Sequence, residues 1–384
     1  MAKLMPINGR VLAWAFRDRE LTRSAVADKL SVDEELIQSW LDEDVNPNKS
    51  QFDSLVKLLG CTPSFLFLPQ PPESNREARV NFRRHADAPE RIPSETEKAM
   101  RTAQTVLRIA KWLSERDQPH ELDDALVPRA SRGEAPDVVA DRLRTWLDWS
   151  EAKQTGPKAT DTSAAKAMRA AIQRRRIFVL HLTMDEGVTR GFSLHEGVTS
   201  LVAINTRDHV RARFFSYAHE LAHLALRDDS VCLTRNDSSE TEQFCNRVAA
   251  ALLMPRQSFR DFVDRRTGGR VETRENVVSI RNYFKVSLQA AAIRAGTLGL
   301  APRYLYDIIA EEVESKSQGG TYVPGNERTR PRVRVDQYGS GFVNSLADAE
   351  QAGYLKRPQV LDLLRLSDKE FDTARSLAFS EGEG

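Results

Sequence analysis

The stretch Tyr217-Ala-His-Glu-Leu-Ala-His223, YAHELAH, decides how the rest of the chain is read. On a helix, residues four apart stand on one face, so His219 and His223 can both offer a ring nitrogen to one ion. Glu220, beside the first histidine, can reach a water on that ion and take its proton. Zinc suits such donors because it accepts imidazole and carboxylate and keeps a position open when three protein groups bind. The pKa of a water held there falls toward ~7. The pattern H-E-x-x-H arises by accident in about one chain in a hundred of this length, so its surroundings matter. Leu221 and Ala222 are apolar, and Phe214, Phe215, Ala218, Leu224 and Ala225 make the segment apolar nearly all round. That is the pattern of a buried helix. Two histidines and a glutamate would be costly to bury unpartnered there, and a metal satisfies them together.

A third donor is expected from the next helix. Ser239-Glu-Thr-Glu242-Gln-Phe-Cys-Asn246 opens an amphipathic run whose apolar face, Phe244, Val248 and Leu252, ends before Pro255. Glu242 and Asn246 are four apart and share a face, so Glu242 can be a ligand while Asn246 hydrogen-bonds a ligand histidine. Glu240 competes with it, half a turn round. Glu242 could also simply favour the positive end of its helix.

Working outward, the chain has 384 residues, long enough for two or three domains with a sizeable core. A net charge of +1 points to neither a nucleic-acid polymer nor a membrane surface. Three cysteines without a C-x-x-C pair suit a reducing compartment. The first residues, MAKLMPINGR, hold no signal-peptide core, and no run of ~20 apolar residues occurs. A cytoplasmic protein is expected.

Residues 8–60 read as four short helices, with apolar stripes on Val11-Leu12-Ala15-Phe16, Ala25-Val26-Leu30, Leu36-Ile37-Trp40 and Phe52-Leu55-Val56-Leu59. Two short helices joined by a small turn and flanked by others outline a helix-turn-helix domain, here 1–70. The prolines of FLFLPQPPES mark its end. A second segment, 71–318, has a helical lead-in at 92–175, a sheet and the metal helices at 176–255, and a helical part at 256–315. Strands are expected at 176–182, 191–194 and 198–205, the last two as a hairpin around His195-Glu196-Gly197. The remainder, 319–384, reads as a Pro/Arg-rich linker, TYVPGNERTRPRVRV, followed by helices near 342–353, 357–365 and 368–379. The fold class is therefore mostly α with a small β-sheet, an α+β chain with an all-α start and a helical end.

With these residues in hand, the chain resembles the ImmA/IrrE family of zinc metallopeptidases in the form that carries an Xre/Cro-type helix-turn-helix at its N-terminus. The resemblance runs from FLFLPQPP and VNFRR through GFSLHEGVTSLVAINTRD and RARFFSYAHELAHLAL. It continues in ETEQFCNRVAAALLMP and SIRNYFKVSLQAAAIRAGTLGL. It implies a thermolysin-like, zincin-like central domain with one zinc per chain, held by His219, His223 and Glu242, and Glu220 as general base. It also implies that Thr199, Leu201, Val202 and Ile204 form a strand at the sheet edge, where substrate adds as an extended strand. Cys245 departs from the family, which usually has alanine there; a small buried thiol fits. Family members cut a partner helix-turn-helix repressor under stress or in mobile-element and defence responses. A repressor or antitoxin encoded nearby is the expected protein substrate. The alternative is a DNA-binding regulator or toxin–antitoxin component in which the zinc domain senses or scaffolds.

For DNA, the candidate contacts are Arg23 and Lys29 on the backbone, with Gln38 and Ser39 reading a base. Residues 1–60 carry eight Lys/Arg against ten Asp/Glu, a net of −2, and Asp33-Glu34-Glu35 open the helix that should approach the bases. Such charge opposes phosphate binding, so dimerisation or partner docking is the competing use of this domain. A similar helical outline at Val277–Leu298 carries Arg281, Lys285 and Arg294, and Arg76, Arg79, Arg83, Arg84 and Arg91 form a local basic cluster. His209, Arg213, Tyr217 and Tyr304 are candidates for stabilising a tetrahedral oxyanion.

Overall fold

A computed structural model describes residues 4–18, 21–59, 66–67, 94–116, 126–185, 189–227, 231–233, 240–316 and 328–382. The arginine cluster at 76–91 and the VNFRR segment lie outside these residues. Two compact units are resolved, Met1–Arg79 and Val80–Gly384.

Among the described residues, the first unit has four helices: α1 (Gly9–Asp18), α2 (Arg23–Leu30), α3 (Glu34–Leu41) and α4 (Lys49–Leu59). Thr22 caps α2 by accepting from the Ala25 amide at 3.2 Å. Ser31, in the left-handed region at φ 53°, turns the chain into α3. The four apolar stripes meet in one core around Trp40, Phe52, Leu12, Ile37 and Leu55. Helix α1 comes close to α3 at Gly9, where a Cβ would stand 2.1 Å from the Leu41 carbonyl oxygen. Only glycine permits that approach.

The second unit opens with α5 (Ser94–Ser114), α6 (Pro136–Leu147), the single turn α7 (Ala152–Thr155) and α8 (Asp161–Arg174). Strands β1 (Phe178–Leu182), β2 (Thr189–Glu196) and β3 (Thr199–Asn205) follow, then α9 (Val210–Leu226), β4 (Val231–Leu233) and α10 (Glu240–Leu253). Helices α11 (Arg256–Thr267), α12 (Arg274–Phe284), α13 (Leu288–Thr297) and α14 (Arg303–Lys316) continue the chain. It closes with α15 (Arg330–Tyr338), α16 (Ser340–Gln351), α17 (Arg357–Leu364) and α18 (Asp368–Gly382).

The sheet order is β1-β3-β2-β4, with β1 parallel to β3 and the other pairs antiparallel. Side chains alternate across it. Val179, Val202 and Ile204 enter one core with α8, α9 and α10. Leu180, Leu182, Phe192, Leu194, Leu201 and Ala203 enter a second core with α5 and the C-terminal helices, where Phe342, Val343 and Leu346 pack. Covering both faces explains why all of β3 is buried and why its centre, Leu201 to Ile204, is an unbroken apolar run.

This order overturns the expected substrate strand. Thr199, Leu201, Val202 and Ile204 belong to β3, which is hydrogen-bonded to β1 on one side and β2 on the other. Its backbone has no edge left to offer. The outer strands are β1 and β4. Arg169 of α8 donates to the carbonyls of Val179 in β1 (3.0 Å) and Asp336 in α15 (2.8 Å), which ties α15 against β1.

Two short elements differ from the sequence reading. Arg330–Tyr338, read as linker, is helical; Pro331 sits in the first turn, where its missing N–H costs nothing. Strand β4 is three residues long, too short for alternation to show.

Candidate metal centre

Helix α9 carries the histidines through the middle of the unit. Phe214 and every residue from Ser216 to Ala225 are buried. His219 and His223, one turn apart, point their Nε2 atoms at each other across 3.0 Å. Glu242, in the first turn of α10, closes the triangle: its Oε2 lies 3.2 Å from His219 Nε2 and its Oε1 3.4 Å from His223 Nε2. All three side chains are buried, and their donor atoms lie within 4.8 Å of one another. Glu240, the competing donor, is exposed.

The position of Glu242 depends on α10, whose last carbonyls are satisfied by side chains from three other helices. Arg144 of α6 donates to Leu252 O at 2.6 Å, Gln154 of α7 to Leu253 O at 2.8 Å, and Arg294 of α13 to Met254 O at 3.0 Å. Arg294 also pairs with Asp137 at 2.5 Å and is almost wholly buried. The arginine read as part of a second basic helical surface is therefore a structural clamp. Helix ends leave four carbonyls without intrahelical partners, so these donors fix the helix at no polar cost.

The donor set fits a zinc ion. Ligands about 2.0–2.1 Å from a tetrahedral centre stand about 3.3 Å from one another, and the three pairs here span 3.0–3.4 Å. Burial pushes the Glu242 carboxyl up, but hydrogen bonds and charge from His219 and His223 outweigh it and hold the group well below the usual carboxylate range. It is thus an anion facing two imidazoles. Glu220 behaves in the opposite sense. Burial raises its pKa, the charges of His223 and His219 pull against that rise, and the nearby Ser193 opposes it weakly. Its Oε2 is buried with no hydrogen-bond partner among the described residues, a state that a reacting proton or a polar ligand relieves.

Beneath Glu220 lies β2. Gly191 and Ser193 share the sheet face of Val202 and Ile204, their cross-strand partners. A Cβ on Gly191 would stand 2.8 Å from the Ala203 carbonyl oxygen and 3.3 Å from Glu220 Oε1, so glycine leaves the carboxylate its room. Neither Gly191 nor Ser193 was singled out from sequence. Once GFSL is a strand, the period of two places both on the face of the metal helix.

A cavity of about 180 Å³ opens beside His219 and Glu220, with Phe215, Asn246, Arg190 and Ile293 among its walls. Asn246 therefore lies next to the triad. The four oxyanion candidates are elsewhere. Tyr217 hydrogen-bonds His181 of β1 at 2.5 Å, His209 caps the start of α9, Arg213 does not line the cavity, and Tyr304 is exposed on α14. The DNA candidates sit in the first unit. Arg23 donates to Gln38 and lies 3.5 Å from Glu34, Gln38 donates to Asp42 at 2.8 Å, and Ser39 bonds back to Glu35 O at 3.0 Å. Lys29 is exposed.

A buried histidine pair one turn apart, closed by a glutamate from the next helix over a small sheet, defines a metallopeptidase-type domain. Residues 172–295, from the end of α8 into α13, match the model of a peptidase family described as the IrrE N-terminal-like domain. For this segment the match supports the ImmA/IrrE resemblance. No curated protein and no solved structure matches the chain. Among the described residues no helix is long and apolar enough to cross a membrane.

Proposed function

We propose that this chain is a zinc-dependent endopeptidase that cleaves a regulatory protein, a repressor or antitoxin. The reading rests on one observation: His219, His223 and Glu242 converge within 3.0–3.4 Å, with the buried carboxylate of Glu220 adjoining them. His219, His223 and Glu242 would hold the ion. A bound zinc supplies Lewis acidity, which polarises a peptide carbonyl and eases deprotonation of water. Glu220 takes a proton from the attacking water and returns it to the leaving amine, and its raised pKa suits both halves of that task. Gly191 leaves the Glu220 carboxylate its room, and Ser193 shares the sheet face beneath it. Asn246 orients a ligand side chain from α10.

Substrate backbone would pair with β4, the outer strand on the β2 side. At the opposite edge, β1, Arg169 already occupies a carbonyl and joins it to α15. The N-terminal unit, with its two short helices about the Ser31 turn, would dock the partner protein. Its acidic α3, with Arg23 and Gln38 bonded to each other, favours a protein partner over DNA.

Co-expression with a helix-turn-helix repressor encoded beside this gene tests the reading. The wild type should cut the repressor at one site, and Glu220→Gln should leave it intact while keeping its metal. Equal cleavage by both forms, or none by either at full metal occupancy, would count against a peptidase and for a regulator that senses zinc.

A further inference from the structure

The cavity beside the triad has a chemical character that the metal site alone does not require. Its walls include Phe215, Ala250 and Ile293, so the stem of an entering side chain meets apolar surface. Of the residues that line it, Glu220 is the sole carboxylate, and that group is buried against the two histidines. Arg294 in the wall is committed to Asp137 and the Met254 carbonyl. Arg190 and Arg247 differ. Both line the cavity, both are exposed, and among the described residues neither has a carboxylate partner. Arg190 comes from β2 next to Gly191, and Arg247 from α10 next to Asn246, so the guanidinium groups stem from two separate elements of the site.

We propose that this cavity is a subsite for an acidic side chain, glutamate, flanking the bond that is cut, with Arg190 and Arg247 as the selecting groups. The proposal rests on the peptidase reading above. A volume of about 180 Å³ accommodates a glutamate side chain. Its methylenes pack on Phe215 and Ile293, and its carboxylate is drawn to the two arginines through charge-assisted hydrogen bonds. A lysine or arginine there meets like charge on both sides. Selection of this kind works by repelling the wrong partner as much as by attracting the right one.

The test compares two small zinc-binding probes on the full-length, zinc-loaded protein: N-acetyl-glutamyl hydroxamate and its neutral isostere, N-acetyl-glutaminyl hydroxamate. Binding is read by calorimetry, which needs no turnover. The glutamyl probe should bind about tenfold tighter, as expected for exposed ion pairs with two arginines. The preference should shrink as salt rises from 50 to 500 mM, because exposed charges are screened. Arg190→Ala/Arg247→Ala should abolish the difference by weakening the glutamyl probe more than the glutaminyl one, and Arg190→Glu/Arg247→Glu should reverse it. Both positions are exposed, so these variants keep the fold, which a matching thermal melt verifies. Equal binding of the two probes by the wild type, or an unchanged preference in the double alanine variant, would overturn the proposal and leave the peptidase reading standing. Failure of both hydroxamates to bind a protein that also retains no zinc would bring down the metal site and the subsite with it.

Discussion

Nε2 of His219 and Oε2 of Glu242 lie 3.2 Å apart in the interior, each side chain about 95% shielded from solvent. Without an ion, this contact is a buried pair whose charge must be held by proton sharing alone. With one, both groups act as donors to the same centre. Binding that is absent from the unfolded chain adds directly to stability, by about 2.7 kcal/mol at free zinc one hundred times the dissociation constant. Removing the metal with a chelator should therefore lower the thermal midpoint of the larger unit by about 4 °C. Glu242→Ala should show the lower midpoint with or without chelator. Differential scanning fluorimetry reads both.

Gly191 is the second site at which geometry makes a sharp demand. A methyl group there meets the Ala203 carbonyl at 2.8 Å, closer than real contacts allow, and approaches Glu220 Oε1 at 3.3 Å. Gly191→Ala should cost about 1–3 kcal/mol of stability through overpacking. It should also reduce turnover, because the carboxylate must shift, while zinc content stays at the wild-type level. Wild-type kinetics in this variant would show that Glu220 has room to spare.

The clamp on α10 gives a pH signature. Burial pushes the Asp137 carboxyl up, but the hydrogen bond and charge of Arg294, aided by Arg256, outweigh it and leave its pKa lowered. A carboxylate with a depressed folded-state pKa contributes stability above its unfolded pKa of ~3.9 and loses it as pH falls through the folded value. Asp137→Asn should therefore destabilise the metal-free protein at pH 7, and the gap from wild type should close as pH falls below the unfolded carboxylate value through the lower folded one. Urea midpoints measured from pH 3 to 7 on metal-free protein follow this. A gap that stays constant with pH would remove the ion pair from the account.

The C-terminal helices are part of the sheet's packing. Phe342 is buried against Phe178, with ring centroids 5.9 Å apart at 89°, and lies in the core that includes Leu180 and Phe192. Phe342→Ala should cost about 3–5 kcal/mol. Removing residues 328–384 should expose the part of that sheet face that α5 does not cover and give insoluble or molten protein. A truncated chain that melts cooperatively near the wild-type midpoint would show the face to be covered by something else.

The metal helix was legible because its chemistry and burial both show in one short stretch. YAHELAH places two imidazoles a turn apart, and the apolar residues around them announce the burial seen in α9. Glu242 followed from spacing on the next helix together with the family pattern. The expected substrate strand lies inside the sheet for a physical reason. Leu201-Val-Ala-Ile204 is an unbroken apolar run, the pattern of a strand covered on both faces, and a strand of that kind sits inside a sheet. The edge strand β4 is only Val231–Leu233, too brief to carry a pattern. Helix α15 was hidden by Pro331, a residue that breaks helices except at their first turn. Gly191 and Ser193 needed the sheet register before their proximity to Glu220 could be seen.

Zinc content of the purified protein tests the central claim most directly, measured by inductively coupled plasma mass spectrometry on wild type and three variants. About one zinc per chain is predicted for wild type and for Glu220→Gln, with loss in His219→Ala and Glu242→Ala. Wild-type protein that holds no zinc after loading, or variants lacking His219 or Glu242 that hold as much as wild type, would contradict it.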